Sequence, residues 1–312
     1  MTESSAPAKI ILLGEHAVVY GRPAIAVPVS SLRATATAEP GAPGSGLHIF
    51  AADLNQTLPV NVHSELVDNA LIQTARLLLQ TLNRPALDLV VTLRSQIPMA
   101  SGLGSGAAVS TALALALNSA LGSPLDRAQI NDLIFQVETL HHGTPSGIDN
   151  AVVVYEQPVY FVRGQPLESV RIGAPLTLLI ADTGQGALTK IAVGAVRELY
   201  NADPQRIQPV LDAIGALVLE ARQAIELGDS VNLGKLMSRN HEYLKILTVS
   251  SPELDILVDA ALQAGALGAK LSGGGRGGNM TALVTELSAP YIRTALARAG
   301  AVRVFQTTVG VT

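Results

Sequence analysis

Hydrophobic and polar positions along this chain follow two different periods. "LRATATAE" alternates, with Leu32, Ala34 and Ala36 on one side and Arg33, Thr35 and Thr37 on the other, the pattern of a half-buried strand. "KIILLG" and "AIAVPV" are apolar runs that read as strands around the tight segment "EHAVVYGRP". "GAPGSG" predicts a turn, "LHIFAAD" more extended chain, and "SELVDNALIQTARLLLQTL" a helix with Ser64 as its N-cap. "ALDLVVTLRS" predicts another strand. "SPLDRAQINDLIFQVETLHHG" predicts a helix with Ile130, Leu133, Ile134 and Val137 on one face, and "AVVVYEQPVYFV" a strand pair.

Beyond "RGQPLESVRIGAP" the pattern changes. "LTLLIADTG" reads as a strand, and 189–247 is nearly all helical. Then come a helix over 252–264, a strand over 269–272, a glycine turn, a strand over 280–284, a helix over 290–299 and a strand over 302–309. Strands with interleaved helices predict an α+β sandwich in the second half. The expected boundary lies near Gly173, giving domains 1–172 and 173–312.

No charged residue occurs between Arg94 and Asp126. A membrane span is excluded by length: the helical part, from Ala107 to Leu121, covers only ~22 Å at 1.5 Å per residue, against a hydrocarbon core of ~30 Å. Pro98, Gly102, Gly104 and Gly106 at its start make a poor lipid-facing helix. The stretch reads as a helix buried in protein.

Composition narrows the class. A chain of 312 residues suits two domains, and 48 % hydrophobic against 15 % charged residues describes a globular protein with a large interior. A net charge of −4 offers no basic field for nucleic acid or an anionic membrane, so neither is an expected partner. Without cysteine there is no disulfide and no thiolate metal site. "MTESSAPAKIILLG" does not resemble a signal peptide, so the expected location is cytoplasmic.

Two glycine loops carry candidate chemistry. "GLGSGA" (Gly102–Ala107) and "GGGRGG" (Gly273–Gly278) share the dinucleotide spacing. Neither has the strand before it, helix after it and acid about twenty residues on that the fingerprint requires, and no GxxxxGK[ST] loop exists. The first loop does open an uncharged helix, whose first-turn N–H groups suit an anion. The bland alternative is that its glycines only permit close packing.

"ETLHHGTPSGIDNAV" gathers Glu138, His141, His142, Ser146 and Asp149 within 12 residues. Taken singly, Asp149 is a turn residue, Glu138 a solvated flank, and the histidines suit a helix C-terminus. A zinc site lacks a second ligand cluster. Lys9 opens an apolar strand, and Gly14, Glu15 and His16 follow it. A lysine, two carboxylates and two glycine loops together make a set suited to phosphoryl transfer, which needs charge stabilisation, a bound Mg²⁺ and a proton acceptor.

"PAKIILLGEHAVVYGRPAIAVPV", "IPMASGLGSGAAVSTALALAL", "HHGTPSGIDNAV" and "GAKLSGGGRGGNMTALV" occur in the order and spacing of the GHMP kinase motifs. The chain resembles that family from Pro7 to its last strand. "GEHAVVYG" and "HGTPSGIDN" resemble most closely the members that act on mevalonate. The resemblance implies an α+β, two-domain GHMP kinase fold with the active site in the interdomain cleft. ATP and Mg²⁺ would be the cofactors, mevalonate the partner, and a second copy of the chain in a homodimer at most.

Residue by residue, the resemblance implies Asp149 as the acid/base and Lys9 beside it steadying the transferring phosphoryl. Pro98, Ala100, Ser101, Gly102, Leu103, Gly104, Ser105, Gly106 and Ala107 would wrap the ATP phosphates. Glu138, eleven residues before Asp149, would hold Mg²⁺ with Ser105. Glu15, His16, Ser146, Thr183 and Gly274 would line the substrate pocket. Two positions depart from the family pattern: Gly106 stands where a second serine commonly shares the metal, and Arg276 interrupts the third motif's glycines. The alternatives are a related kinase of phosphomevalonate or a sugar, and a non-catalytic binding protein of the same fold.

Overall fold

A computed structural model describes residues 2–60, 69–84, 87–99, 101–142, 146–186 and 189–310. In chain order the elements are β1 (Thr2–Leu13), β2 (Ala24–Pro40), β3 (Leu47–Ala51), β4 (Gln56–Val60), α1 (Ala70–Thr81), β5 (Leu89–Ser95), α2 (Ser105–Ala120), α3 (Arg127–His142) and α4 (Ile148–Tyr155). They continue with β6 (Val159–Phe161), β7 (Glu168–Ser169), β8 (Leu176–Asp182), α5 (Thr189–Ala202), α6 (Pro204–Leu227), α7 (Ser230–Ile246), α8 (Pro252–Gln263), β9 (Gly268–Ser272), β10 (Asn279–Val284), α9 (Ala289–Arg298) and β11 (Arg303–Val309).

The chain divides into two compact units. One comprises Met1–Ala8, Leu32–Pro98 and Gly104–Glu156, the other Lys9–Ser31, Met99–Leu103 and Gln157–Thr312.

In the first unit, Ala34–Pro40 of β2 pairs antiparallel with β5, β5 runs parallel to β3, and β4 closes the edge beside β3. The alternation read from "LRATATAE" is the observed burial: Leu32, Ala34 and Ala36 are buried and the residues between them are not. Helix α2 packs against α1, α3 and α4. Its Ala107, Ala108, Ala112, Leu113, Ala116 and Leu117 are all buried, which is why it carries no charge. Asn118, also buried, is satisfied by both backbone groups of Leu125. Asp126 and Gln129 exchange side-chain-to-backbone hydrogen bonds of 2.8 and 2.9 Å in front of α3, a capping box.

Two expectations change here. The proposed cap Ser64 lies outside the described residues. The helix begins at Ala70, where the Asn69 side chain accepts from the N–H groups of Leu71 and Ile72. The expected strand pair "AVVVYEQPVYFV" is instead a helix, α4, a left-handed Glu156 and the short β6. Residues 150–154 are buried on every side, so the run shows no period, and packing on α2 and α3 overrides the β-preference of three valines.

In the second unit, β8, β9, β10 and β11 form an antiparallel sheet in the order β11-β8-β10-β9. Every residue of β8, β9 and β10 is buried. The core joins Leu179, Ala181, Leu271, Met280 and Ala282 of the sheet to Ile214 of α6, Leu244 of α7, Leu257 of α8 and Ile292 of α9. Ser251 caps α8, with Glu253 and Asp255 in its first turn where the helix dipole favours acids. Ala24–Ala26 of β2 pairs with β6 in the same unit.

No helix among the described residues is long and apolar enough to cross a membrane.

Candidate active site

The first unit holds Glu138, Asp149, Ser146 and the helical end of the glycine loop. Gly104 takes a left-handed φ of 72° as the residue before α2, a conformation glycine adopts without a Cβ penalty. Among the described residues no side chain caps the helix, so the N–H groups of its first turn, at Ser105, Gly106 and Ala107, suit another acceptor. Glu138, on α3, lies at this helix end. A β-carbon placed on Gly106 would meet the Glu138 Oε1 at 3.6 Å. Asp149 sits in the first turn of α4. There the Ser146 hydroxyl accepts from the Ile148 N–H at 3.4 Å, and Asn150 donates to the Asn131 side chain on α3 at 2.8 Å. Two packed helices thus fix the turn that carries the aspartate. The side chains of His141 and His142, Ala100, and residues 143–145 of the motif lie outside the described residues.

The second unit holds Lys9, Glu15, His16, Thr183, Gly274 and the first part of the loop. Lys9 is buried on β1, and its N–H donates to the Leu103 carbonyl at 3.0 Å. The Ser101 carbonyl accepts from Asn279 Nδ2 at 2.6 Å. Leu103 is therefore tied to β1 and Ser101 to β10, where Asn279 begins the strand. Thr183 donates its hydroxyl to the Gly278 carbonyl at 2.9 Å and accepts from the Gln185 N–H, so its single proton is committed to the third motif. Asp182 fixes the same turn by accepting from the Gly184 N–H and pairing with Arg303 at 3.0 Å.

Gly14 turns the chain out of β1 with φ of 100°, and a β-carbon there would lie 2.5 Å from the Ala24 Cα. His16 follows with φ of 61°. Its Nε2 lies 3.0 Å from the Gly274 carbonyl, which only accepts, so Nε2 carries the proton and Nδ1 is a lone pair. Burial is the main cause that pushes the His16 pKa down to about 4, and the nearby charges of Lys270 and Arg276 act in the same direction, against the Gly274 hydrogen bond. The ring is neutral at physiological pH.

Glu15 is fully buried. Its Oε1 pairs with Lys270 Nζ, and its Oε2 accepts from Asn240 Nδ2 at 3.0 Å. Lys270 and Asn240 were not visible as site residues in the sequence. The one available signal was a lysine inside the apolar strand run "GAKLS". Arg276, which interrupts the glycines, takes φ of 56°, with its N–H on the Val249 carbonyl and its Nε on Thr248 O, 3.2 Å away. It is fastened to the loop after α7 by backbone carbonyls rather than by an acid.

Residues 69–157 match the GHMP kinase N-terminal domain and residues 221–302 the GHMP kinase C-terminal domain. A mevalonate kinase of Thermococcus sibiricus is 38 % identical over 302 residues, covering 91 % of this chain and 89 % of that one. The chain belongs to the GHMP kinase family. The solved structures similar to this GHMP kinase include the L. major mevalonate kinase in complex with R-mevalonate, with a TM-score of 0.84 at 29 % identity over 99 % of this chain and 96 % of that one. The Methanococcus jannaschii mevalonate kinase matches with a TM-score of 0.86 at 25 % identity, covering 100 % and 98 %. The fold expected from the motifs is thereby established.

Proposed function

We infer that this GHMP kinase transfers the terminal phosphoryl of ATP to the primary hydroxyl of mevalonate, giving 5-phosphomevalonate and ADP. The carrying observation is near-full-length similarity, at 38 % identity, to a mevalonate kinase, and the reading is supported by the presence of Lys9, Glu138 and Asp149 at the motif positions.

Asp149 accepts the hydroxyl proton as the oxygen bonds to phosphorus and the bridging oxygen leaves with ADP. Lys9 supplies positive charge to the attacking hydroxyl and the phosphoryl in transit. The N–H groups at the start of α2 hold the phosphate oxygens, an arrangement supported by the absence of a side-chain cap there among the described residues.

The residues present fit Mg²⁺. Glu138 places a carboxylate oxygen at that helix end, Ser105 adds a hydroxyl, and no cluster of three or more acids or histidines exists among the described residues. Mg²⁺ is commonly held in this way, by one or two carboxylates plus substrate phosphates and water. When bound, it offsets the polyphosphate charge. His16 and Gly274, hydrogen-bonded to each other, would contact the acid substrate. The test is an ADP-release assay of purified protein against mevalonate, phosphomevalonate, galactose and homoserine.

A further inference from the structure

The least expected polar group in the second unit is the Lys270–Glu15 pair. Both side chains are fully buried, 255 residues apart in sequence. Taking two charges out of water is costly, and well-packed apolar residues of similar size commonly do as well or better for stability. Stability alone therefore gives no reason for a buried pair here.

The pair has defined geometry. Glu15 has both oxygens engaged, one by Lys270 from β9 and one by Asn240 from α7. Lys270 Nζ also donates to the Leu271 carbonyl. The next residue of α7, His241, accepts from the Leu271 N–H at 3.3 Å, so α7 grips the strand beside the lysine. Residues 270 and 272 of β9 and residue 274 just beyond it engage the end of β1 and the segment that follows it. Lys270 holds Glu15, the Ser272 hydroxyl donates to the Ile11 carbonyl at 3.1 Å, and the Gly274 carbonyl receives the His16 Nε2–H.

What these contacts enclose is His16, in a backbone conformation (φ 61°, ψ −44°) that a histidine rarely adopts without support. Its Nδ1 is buried and has no hydrogen-bond partner among the described residues. A buried lone pair with no donor is a site for one. A carboxylate only accepts, so the matching group is a hydroxyl.

We propose that Lys270 and Glu15 are positioning residues: through the Glu15–His16 peptide they hold the imidazole so that Nδ1 accepts the non-reacting, tertiary hydroxyl of the substrate. Neither side chain touches the substrate. The inference rests on the mevalonate reading above and adds the device that enforces it.

Lys270→Met alone strands a buried carboxylate, so the test uses Glu15→Gln/Lys270→Met, which removes both charges. Thermal unfolding, KM for mevalonate and ATP, and the KM ratio between mevalonate and its analogue lacking the tertiary hydroxyl are measured in both proteins. The wild type should prefer mevalonate over the analogue by ~10-fold or more, the scale of one hydrogen bond to a buried group. The double variant should unfold cooperatively and bind ATP as before, with KM for mevalonate raised ~10-fold and the preference over the analogue lost. A cooperatively folded double variant that keeps the wild-type preference overturns the proposal and leaves the mevalonate reading intact. Wild-type protein inactive on mevalonate overturns both.

Discussion

Gly106 faces Glu138: the space where its β-carbon would stand is bounded by the Glu138 Oε1 at 3.6 Å, an ordinary contact distance. A serine β-carbon fits there without displacing anything, and its hydroxyl would join the carboxylate in the first turn of α2. Gly106→Ser is expected to fold normally and to lower the Mg²⁺ concentration for half-maximal activity. Glu138→Gln should raise it strongly, because no second serine shares the ion. A Mg²⁺ titration of both variants checks this; an unchanged midpoint in Glu138→Gln would place the metal elsewhere.

Asp149 stands in the first turn of a helix pinned by Asn150 and Asn131, so a neutral isostere should leave the turn in place. Asp149→Asn is expected to keep the KM for ATP and to lose ~10²-fold or more in kcat, the usual scale for a positioned proton acceptor. Steady-state kinetics decides it. Turnover within a few-fold of wild type would remove Asp149 from its role.

Much of this was legible in the sequence, for identifiable reasons. Helix α2 announced itself because most of its residues are buried and none of them is charged. The loop before it was legible because its glycines run straight into that uncharged helix. Helix α4 was not, since Val152, Val153 and Val154 are buried all round and leave no period to read. Strand β4 was hidden by Pro59, tolerated because β4 is the sheet's edge. The Lys270–Glu15 pair joins residues at opposite ends of the chain, and no single sequence records which buried charges meet.

The glycine of "GEH" is expected to be irreplaceable for steric reasons. At Gly14 a β-carbon would lie 2.5 Å from the Ala24 Cα and 2.6 Å from the Pro23 carbonyl oxygen, at φ of 100°. Gly21 has a similar positive φ, 79°, with nothing within 4 Å. Gly14→Ala should therefore cost about 3 kcal/mol or more and Gly21→Ala only about 1 kcal/mol. Urea unfolding of the two variants separates them; equal losses would refute the crowding at Gly14.

Stability should fall on mild acidification, in part through His16. Its pKa drops from 6.5 to about 4 on folding, so the unfolded chain takes up its proton first as pH falls. The contribution, about 3 kcal/mol, is present above pH ~6.5 and lost between there and about 4. His16→Asn should flatten the stability curve across that window. A residual slope remains from His241, which burial pushes in the same direction. Unfolding midpoints at pH 7.5 and 4.5 check it, and an unaltered slope in the variant would contradict the buried neutral imidazole.

The central claim is the substrate. The most direct measurement is kcat/KM of the purified protein with ATP, Mg²⁺ and each of mevalonate, phosphomevalonate, galactose and homoserine, with the product identified by ³¹P NMR. The account predicts that mevalonate gives the highest value and that the product is a phosphomonoester at the primary carbon. A higher kcat/KM for any of the other three, or no transfer to mevalonate, would contradict it.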